Sequence, residues 1–272
     1  FTFQLMVISI PLLILFLIDD LKGLNPFLRI LIQCTLSMYM ISSTGVYLES
    51  LGNLFGFGEI NLGIAGIPFT VFCIVGVMNS FNMMDGINGL CSGCAMLALI
   101  LIGFYSGLIY DSMLVLIIGS TIGFLIFNMG IFGKKRGVFL GDSGSNLIGF
   151  WVAWVAVYAS QNQNYYIEPV TMLWFIAIPL LDCIGLIFSR IKEGKSWNTA
   201  GRDHIHHKLM QKFTSRGTLS FILFISLLTG LFGIFIETIA STFISTILFF
   251  IYGIVYYTLF GFIKTNVIEI TK

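Results

Sequence analysis

Long apolar runs separated by short polar segments set the rhythm of this chain. About nine such runs are legible, at 1–18, 28–48, 62–80, 89–109, 112–132, 145–160, 170–189, 219–237 and 240–262. Each is close to the roughly 17–25 residues that carry a helix across the hydrocarbon core of a bilayer. None alternates polar and apolar residues with the period of two that a membrane β-barrel requires. Backbone groups in lipid must satisfy their hydrogen bonds internally, which makes these runs helices. The pattern predicts one all-α integral-membrane domain over 1–272, a polytopic bundle of about nine spans.

Composition sharpens this picture. The chain is 57% hydrophobic and only 10% charged, against about 25% charged in a soluble domain. Those few charges are sorted by side. If every run crosses, the linkers alternate, and all 14 Lys and Arg fall on one side or at the adjoining span ends. They occupy 19–29, 133–144, 190–218 and the C-terminal segment, while Glu49, Glu59, Asp111, Glu168 and Glu237 lie on the other side. The positive-inside rule places the basic side in the cytoplasm. The chain opens at Phe1 without Met or a basic n-region, so a truncated N-terminus is expected rather than a cleaved signal peptide. Cys91 and Cys94 have CxxC spacing, but no second Cys or His pair lies near them, and they read as small residues in a packed helix.

The polar residues gather on the basic side. Asp19 and Asp20 follow the first span in "LIDDLKGLNP", and "FNMMDGINGL" after the third carries Asn82, Asp85 and Asn88, with Asn79 just ahead. "KKRGVFLGDSGSNLIGF" brings Asp142, and "RIKEGKSWNTAGRDHIHHKL" holds every histidine, His204, His206 and His207. Each has a plainer reading. Lys22 and Arg29 serve as interface anchors, Ser143 or Ser145 can cap the sixth span, and the histidines could form a zinc cluster, although partners for it are missing. Asp182, inside the seventh span, reads either as a functional ionisable group or as a helix-packing hydrogen bond. Asn82 and Asp85 stand three residues apart on one helical face, and Gly86 and Gly89 permit a turn or a close approach. With Asp142 they offer oxygen ligands and no sulfur. One or two carboxylates completed by phosphate oxygens and water suit Mg²⁺, with Mn²⁺ as a substitute. The residues therefore point to metal-assisted phosphate chemistry at the inner membrane face.

"IDD", "FNMMDGINGL", "VFLGDSGSNLIGF" and "HIHHKL", in this order, resemble the polyprenyl-phosphate N-acetylhexosamine-1-phosphate transferases. The resemblance runs along nearly the whole chain and includes "LGNLFGFGEINLG" and "PVTMLWFIAIPLLD". It is nearest to the bacterial branch that moves GlcNAc-1-phosphate from UDP-GlcNAc to undecaprenyl phosphate, releasing UMP and starting a cell-surface glycan. That implies an active site facing the cytoplasm of a bacterial inner membrane, membrane lipids around it and no nucleic-acid partner; a homodimer is compatible with it. By matching position, Asp19 and Asp20 are the family's aspartate pair, one of which the resemblance makes the acceptor of a proton from the lipid phosphate. Asp142 and Asn82 are matched to metal ligands, and Asp85 and Asn88 to positions near the nucleotide. Arg202, His204, His206 and His207 are matched to the loop that holds sugar and diphosphate, and Asn79 joins the substrate-binding set. Many bacterial relatives have Asp where this chain has Asn88, which weakens a ligand role there. The family carries about two more spans before the aspartate pair, which again implies N-terminal truncation. A muramoyl-pentapeptide or other UDP-acetamidosugar transferase is the second reading within the family. An ion-coupled transporter is a third, for which Asp182 alone stands near a midplane.

Overall fold

The computed structural model describes residues 2–133, 137–194, 196 and 203–261. Among them the extended regular elements are all helices, and the only β-pairing is a single bridge between Ser50 and Asn61. The helices are α1 (Thr2–Lys22), α2 (Pro26–Thr44), α3 (Gly66–Met84), α4 (Leu90–Ser106), α5 (Ser112–Asn128) and α6 (Gly141–Gln161). They continue with α7 (Pro169–Phe175), α8 (Ala177–Lys192), the short α9 (Ile205–Leu209), α10 (Ser215–Ile239) and α11 (Thr242–Gly261).

Local chemistry explains several boundaries. Asn25 caps α2 by accepting from the Phe27 amide at 2.9 Å, with Pro26 at the first helical position where its missing N–H costs nothing. Asp111 caps α5 through the Met113 and Leu114 amides. Helix falls on each of the nine apolar runs, but fewer helices qualify as crossings by length and hydropathy. Among the described residues four do, Phe3–Lys22, Gly63–Met84, Ser215–Ile239 and Thr242–Phe260, or five if a bent helix pair is one span, while α4 and α5 have only 17 residues each. The chain is thus a polytopic helical membrane protein.

The seventh run corrects the expectation of one straight span. It breaks at Ile176 into α7 and α8, bent by 85°. Pro179 supplies the reason, because its ring would collide with the carbonyl of Phe175 in a continuous helix and it has no amide to donate there. The amide of Leu180 then opens a new register by bonding Ile176 O at 3.0 Å.

At the centre, α6 packs on α3, α1 and α4. Gly149 makes this possible, since a Cβ there would meet the Met78 backbone at 2.8 Å and the Phe81 side chain at 3.3 Å. The core is continuous from Leu5 and Phe16 through Met78 and Phe150 to Trp154. The close α3–α6 contact sets the C-terminal end of α3 beside the N-terminal end of α6, which is where the polar residues collect.

Candidate active site

Asp142 stands in the first turn of α6, and its carboxylate is held from two sides. Arg29 Nη1 donates to Oδ2 at 2.7 Å, and the Asn82 amide donates to Oδ1 at 2.9 Å. Arg29 turns its Nε toward Asp19 Oδ2 at 2.7 Å, a close ion pair whose N–H is off the line to the oxygen. Asp19 is 2% exposed, and its other oxygen accepts from the Leu24 amide at 2.6 Å. One guanidinium therefore bridges two acids 123 positions apart in the sequence, 142 − 19. Arg29 is more than an interface anchor. Its charge offsets a carboxylate that burial would otherwise penalise by several kcal/mol.

Asp20 does something the sequence does not announce. Its oxygens accept from the Asp142 amide at 2.8 Å and the Ser143 amide at 3.1 Å, capping α6 from the end of α1. Neither Ser143 nor Ser145 takes that role. Ser145 Oγ instead donates back to Gly141 O at 2.8 Å and accepts from Asn82 at 2.9 Å. A carboxylate on a helix N-terminus is favoured by the unpaired amides and by the helix dipole.

A buried row of amides supports this arrangement. Asn79 donates to Gln33 at 2.9 Å, Gln33 to Asn146 at 2.6 Å, and Asn146 to the Asp142 backbone carbonyl at 2.8 Å. Asn79 thus serves the bundle interior. Gln33 and Asn146 escaped the sequence analysis because a lone amide in an apolar run carries no spacing signal.

Asp85 ends α3 as its C-cap residue. Burial first, then the Asp142 carboxylate, pushes its carboxyl up to about 6. Asn88 is exposed and lies on a different recess, of about 470 Å³, with Asn128, Phe139 and Arg216. Asn128 organises that corner by accepting from the Gly89 amide at 2.6 Å and donating to Val138 O at 2.8 Å.

The histidines sit together on α9 and its N-terminus. Asp182 reaches out of α8 to bind His204 Nδ1 at 2.8 Å and the Ile205 amide at 2.9 Å. Tyr256 of α11 adds a longer contact to Asp182 at 3.4 Å. Asp182 is therefore the anchor of the histidine segment. His206 stacks on His204 with ring centroids 5.3 Å apart and presses directly on Gly86, where any side chain would collide with its ring. Burial, then His207 and His204, lowers the His206 pKa to about 3, so its ring is neutral near pH 7. His207 packs against His206 at 4.2 Å between centroids. Arg202, Lys134, Lys135, Arg136 and Lys195 lie outside the described residues.

The structure thus joins Asp19, Asp20, Asn82 and Asp142 directly, sets Asp85 in electrostatic reach, and brings the histidines against the Asp85–Gly86 turn. Among the described residues no three acids, histidines or cysteines form a ready-made metal cage. The donors at the Asp142 end are all oxygens, and the Asn82 amide exchanges donor for acceptor by a half-turn. Such a set fits a hard cation that takes its remaining ligands from phosphate and water.

Comparison with known proteins places the chain in a family. The family profile of glycosyl transferase family 4 matches residues 2–160. A Yersinia pestis protein is 37% identical over 225 residues, 80% of this chain and 61% of its own length. Proteins from Escherichia coli K12 and Haemophilus influenzae are each 35% identical, over 81% and 80% of this chain and 61% and 63% of their own length. All three are named undecaprenyl-phosphate alpha-N-acetylglucosaminyl 1-phosphate transferase. The chain spans about three-fifths of the length of these relatives. With more than half of its length matched by the family profile and relatives this similar over four-fifths of it, the chain belongs to glycosyl transferase family 4.

Proposed function

We propose that this protein transfers GlcNAc-1-phosphate from UDP-GlcNAc to undecaprenyl phosphate, giving undecaprenyl-diphospho-GlcNAc and UMP. The reaction is placed at the cytoplasmic face of a bacterial inner membrane, beneath about nine crossings of which the seventh is broken. The observation that carries the reading is the meeting of Asp19, Arg29, Asn82 and Asp142, from four different helices, at one end of the bundle. The names of the similar proteins support undecaprenyl phosphate as acceptor and N-acetylglucosaminyl 1-phosphate as the group moved.

Both reactants are anions, so the site must neutralise charge and align them. Mg²⁺, held by Asp142 and Asn82, would supply that neutralisation at the diphosphate. Arg29 holds the Asp142 carboxylate in place until substrate arrives. The recess bordered by Asn88, Asn128 and Phe139 suits the nucleoside, since the exposed Asn88 amide can read a base edge and the exposed Phe139 ring offers a stacking surface. His204, oriented by Asp182, and His207 face the sugar diphosphate. His206, uncharged and packed on Gly86, shapes the turn that carries Asp85.

A phosphate monoester is largely dianionic near pH 7, its second pKa being about 6. The acceptor therefore needs little activation and attacks the β-phosphorus of UDP-GlcNAc directly; the new P–O bond forms as the bond to UMP breaks. Asp20, with both oxygens on α6 amides, places the metal ligand next to it, and Asp19 does the same through Arg29. These contacts favour a positioning role for the pair over the role of nucleophile.

The test supplies the purified protein with undecaprenyl phosphate and a panel of UDP-sugars, and identifies the lipid product by mass. GlcNAc-diphospho-lipid and UMP are expected. A product carrying another acetamido sugar or muramoyl-pentapeptide would move the protein to another branch, and absence of any lipid product would remove the reading. In delipidated enzyme, labelled UMP should not enter UDP-GlcNAc. Exchange at a rate near turnover would establish a covalent intermediate and make one aspartate of the pair its nucleophile.

A further inference from the structure

Beneath Arg29, Asn82 and Asp142 lies a second polar layer, built by the same three helices. α2 gives Arg29 to the Asp142 carboxylate and, four residues on, Gln33 to the row of amides. α3 gives Asn82 to the carboxylate and, three residues earlier, Asn79 to the row. α6 carries Asp142 itself and, four residues on, Asn146. Spacings of three and four put each pair on one face of its helix. α2 and α6 start at this end of the bundle and α3 finishes there. All three amides therefore lie about one turn deeper than the carboxylate cluster, roughly 4–6 Å.

The row has one direction. The Asp142 carbonyl can only accept, so Asn146 turns its Nδ2 there and its Oδ1 toward Gln33. Asn79 uses both of its N–H groups, on Val75 O at 2.8 Å and on Gln33 Oε1 at 2.9 Å. Gln33 must then accept on one side and donate on the other, which an amide can do and an ionised carboxylate cannot. Gln33 is 1% exposed and Asn146 2%. A lost link would leave a buried polar atom unpaired, which costs more than the bond itself contributes.

A hydrogen bond between membrane helices contributes little on its own. What sets this row apart is where it ends, on the backbone of Asp142. That residue is held at its amide by Asp20, at its carbonyl by Asn146, and at its two carboxylate oxygens by Asn82 and Arg29. We propose that Gln33 is a positioning residue for Asp142. By joining α2 and α3 to α6 through Asn146, it sets the depth and rotation of the first turn of α6, so that Arg29 and Asn82 meet one carboxylate. Gln33 itself touches neither metal nor substrate. Its role rests on the proposed reading of Asp142 as a metal ligand.

The experiment compares purified Gln33→Met, Asn146→Leu and the double variant with the parent chain. Met and Leu nearly conserve volume while removing the amides. Thr70→Val is the control, because it removes a buried hydroxyl that joins the Leu48 amide to Gly66 O at the outer end of α3. With UDP-GlcNAc and undecaprenyl phosphate, Gln33→Met should raise the Mg²⁺ concentration for half-maximal rate about tenfold and leave KM for UDP-GlcNAc within about twofold. Asn146→Leu should do the same, and it carries the test if Gln33→Met does not fold. The double variant should be no worse than either single one, because both act through one link. Thr70→Val should lower the unfolding midpoint without moving the Mg²⁺ requirement. An unmoved requirement in the row variants, or effects that multiply in the double variant, overturns the proposal and leaves the row as helix packing. A parent chain that makes no lipid product with Mg²⁺ or Mn²⁺ removes the transfer reading instead, and unfolding equilibria then decide the positioning. Asp142→Asn should change the unfolding constant by a factor at least about twofold smaller in the Gln33→Met chain than in the parent. An equal or larger factor overturns the role of Gln33.

Discussion

Arg29 is the residue on which the candidate site turns, because among the described residues it bridges Asp19 and Asp142. Arg29→Gln should lower stability by about 2 kcal/mol, since it leaves the buried Asp19 carboxylate without its partner. Turnover should fall more than about a hundredfold as Asp142 loses one of its two holds. Thermal unfolding and initial rates check the two effects separately. Asp142→Asn, by contrast, should fold normally and lose nearly all turnover, because a neutral amide is a poorer ligand for a hard cation. Near-normal rates with unchanged metal dependence would remove Asp142 from the metal site. His206 gives a prediction in pH. Its folded pKa of about 3 lies below the unfolded value near 6.5. The unfolded chain therefore takes up the proton first, and the stability contributed by the neutral ring is present above pH ~6.5 and lost as pH falls toward ~3. The slope is at most about 1.4 kcal/mol per pH unit. His206→Gln should flatten the stability profile between roughly pH 6.5 and pH 4, measured by denaturant unfolding at stepped pH. An unchanged slope would show that the ring is solvated.

At the level of elements, the site depends on how closely α3 approaches α6. Gly149→Ala places a methyl group against the Met78 backbone, where no flexible side chain can give way. Overpacking of this kind costs about 1–3 kcal/mol. Its functional effect should be larger, because parting the helices draws Asn82 off Asp142 while leaving the histidine segment in place. The expected signature is a raised metal requirement with little change in KM for UDP-GlcNAc, read from rates at stepped Mg²⁺. Equal changes in both would place the strain elsewhere. The break at Ile176 is the second controlling element. By ending α7 early, Pro179 redirects α8 so that Asp182 reaches His204 and the Ile205 amide.

The whole molecule separates its polar residues by side, with the Asp142 cluster at one end and Glu168 and Glu237 at the other. A cysteine at Ser196, an exposed position, should resist impermeant thiol reagents added to intact cells and react once the cells are opened. Strong labelling from outside would invert the topology and with it the assignment of the reactive face.

Hydrophobic period, charge sidedness and residue type are local properties, and they were readable along the chain. They determined the helical class, the position of each long helix to within a few residues, and the end of the bundle where Asp19, Asp20, Asn82, Asp85, Asp142 and the histidines gather. What they could not carry was partnership. That Arg29 joins Asp19 to Asp142, that Asp20 caps α6, and that Gln33, Asn128 and Asn146 underlie the site all depend on contacts between helices. A hydrogen bond across 113 residues leaves no period to detect. The bend at Ile176 lay between these cases. Pro179 marked it in the sequence, yet only packing decided that the helix breaks there rather than kinks, because α8 gains a buried anchor for the histidine segment when it turns.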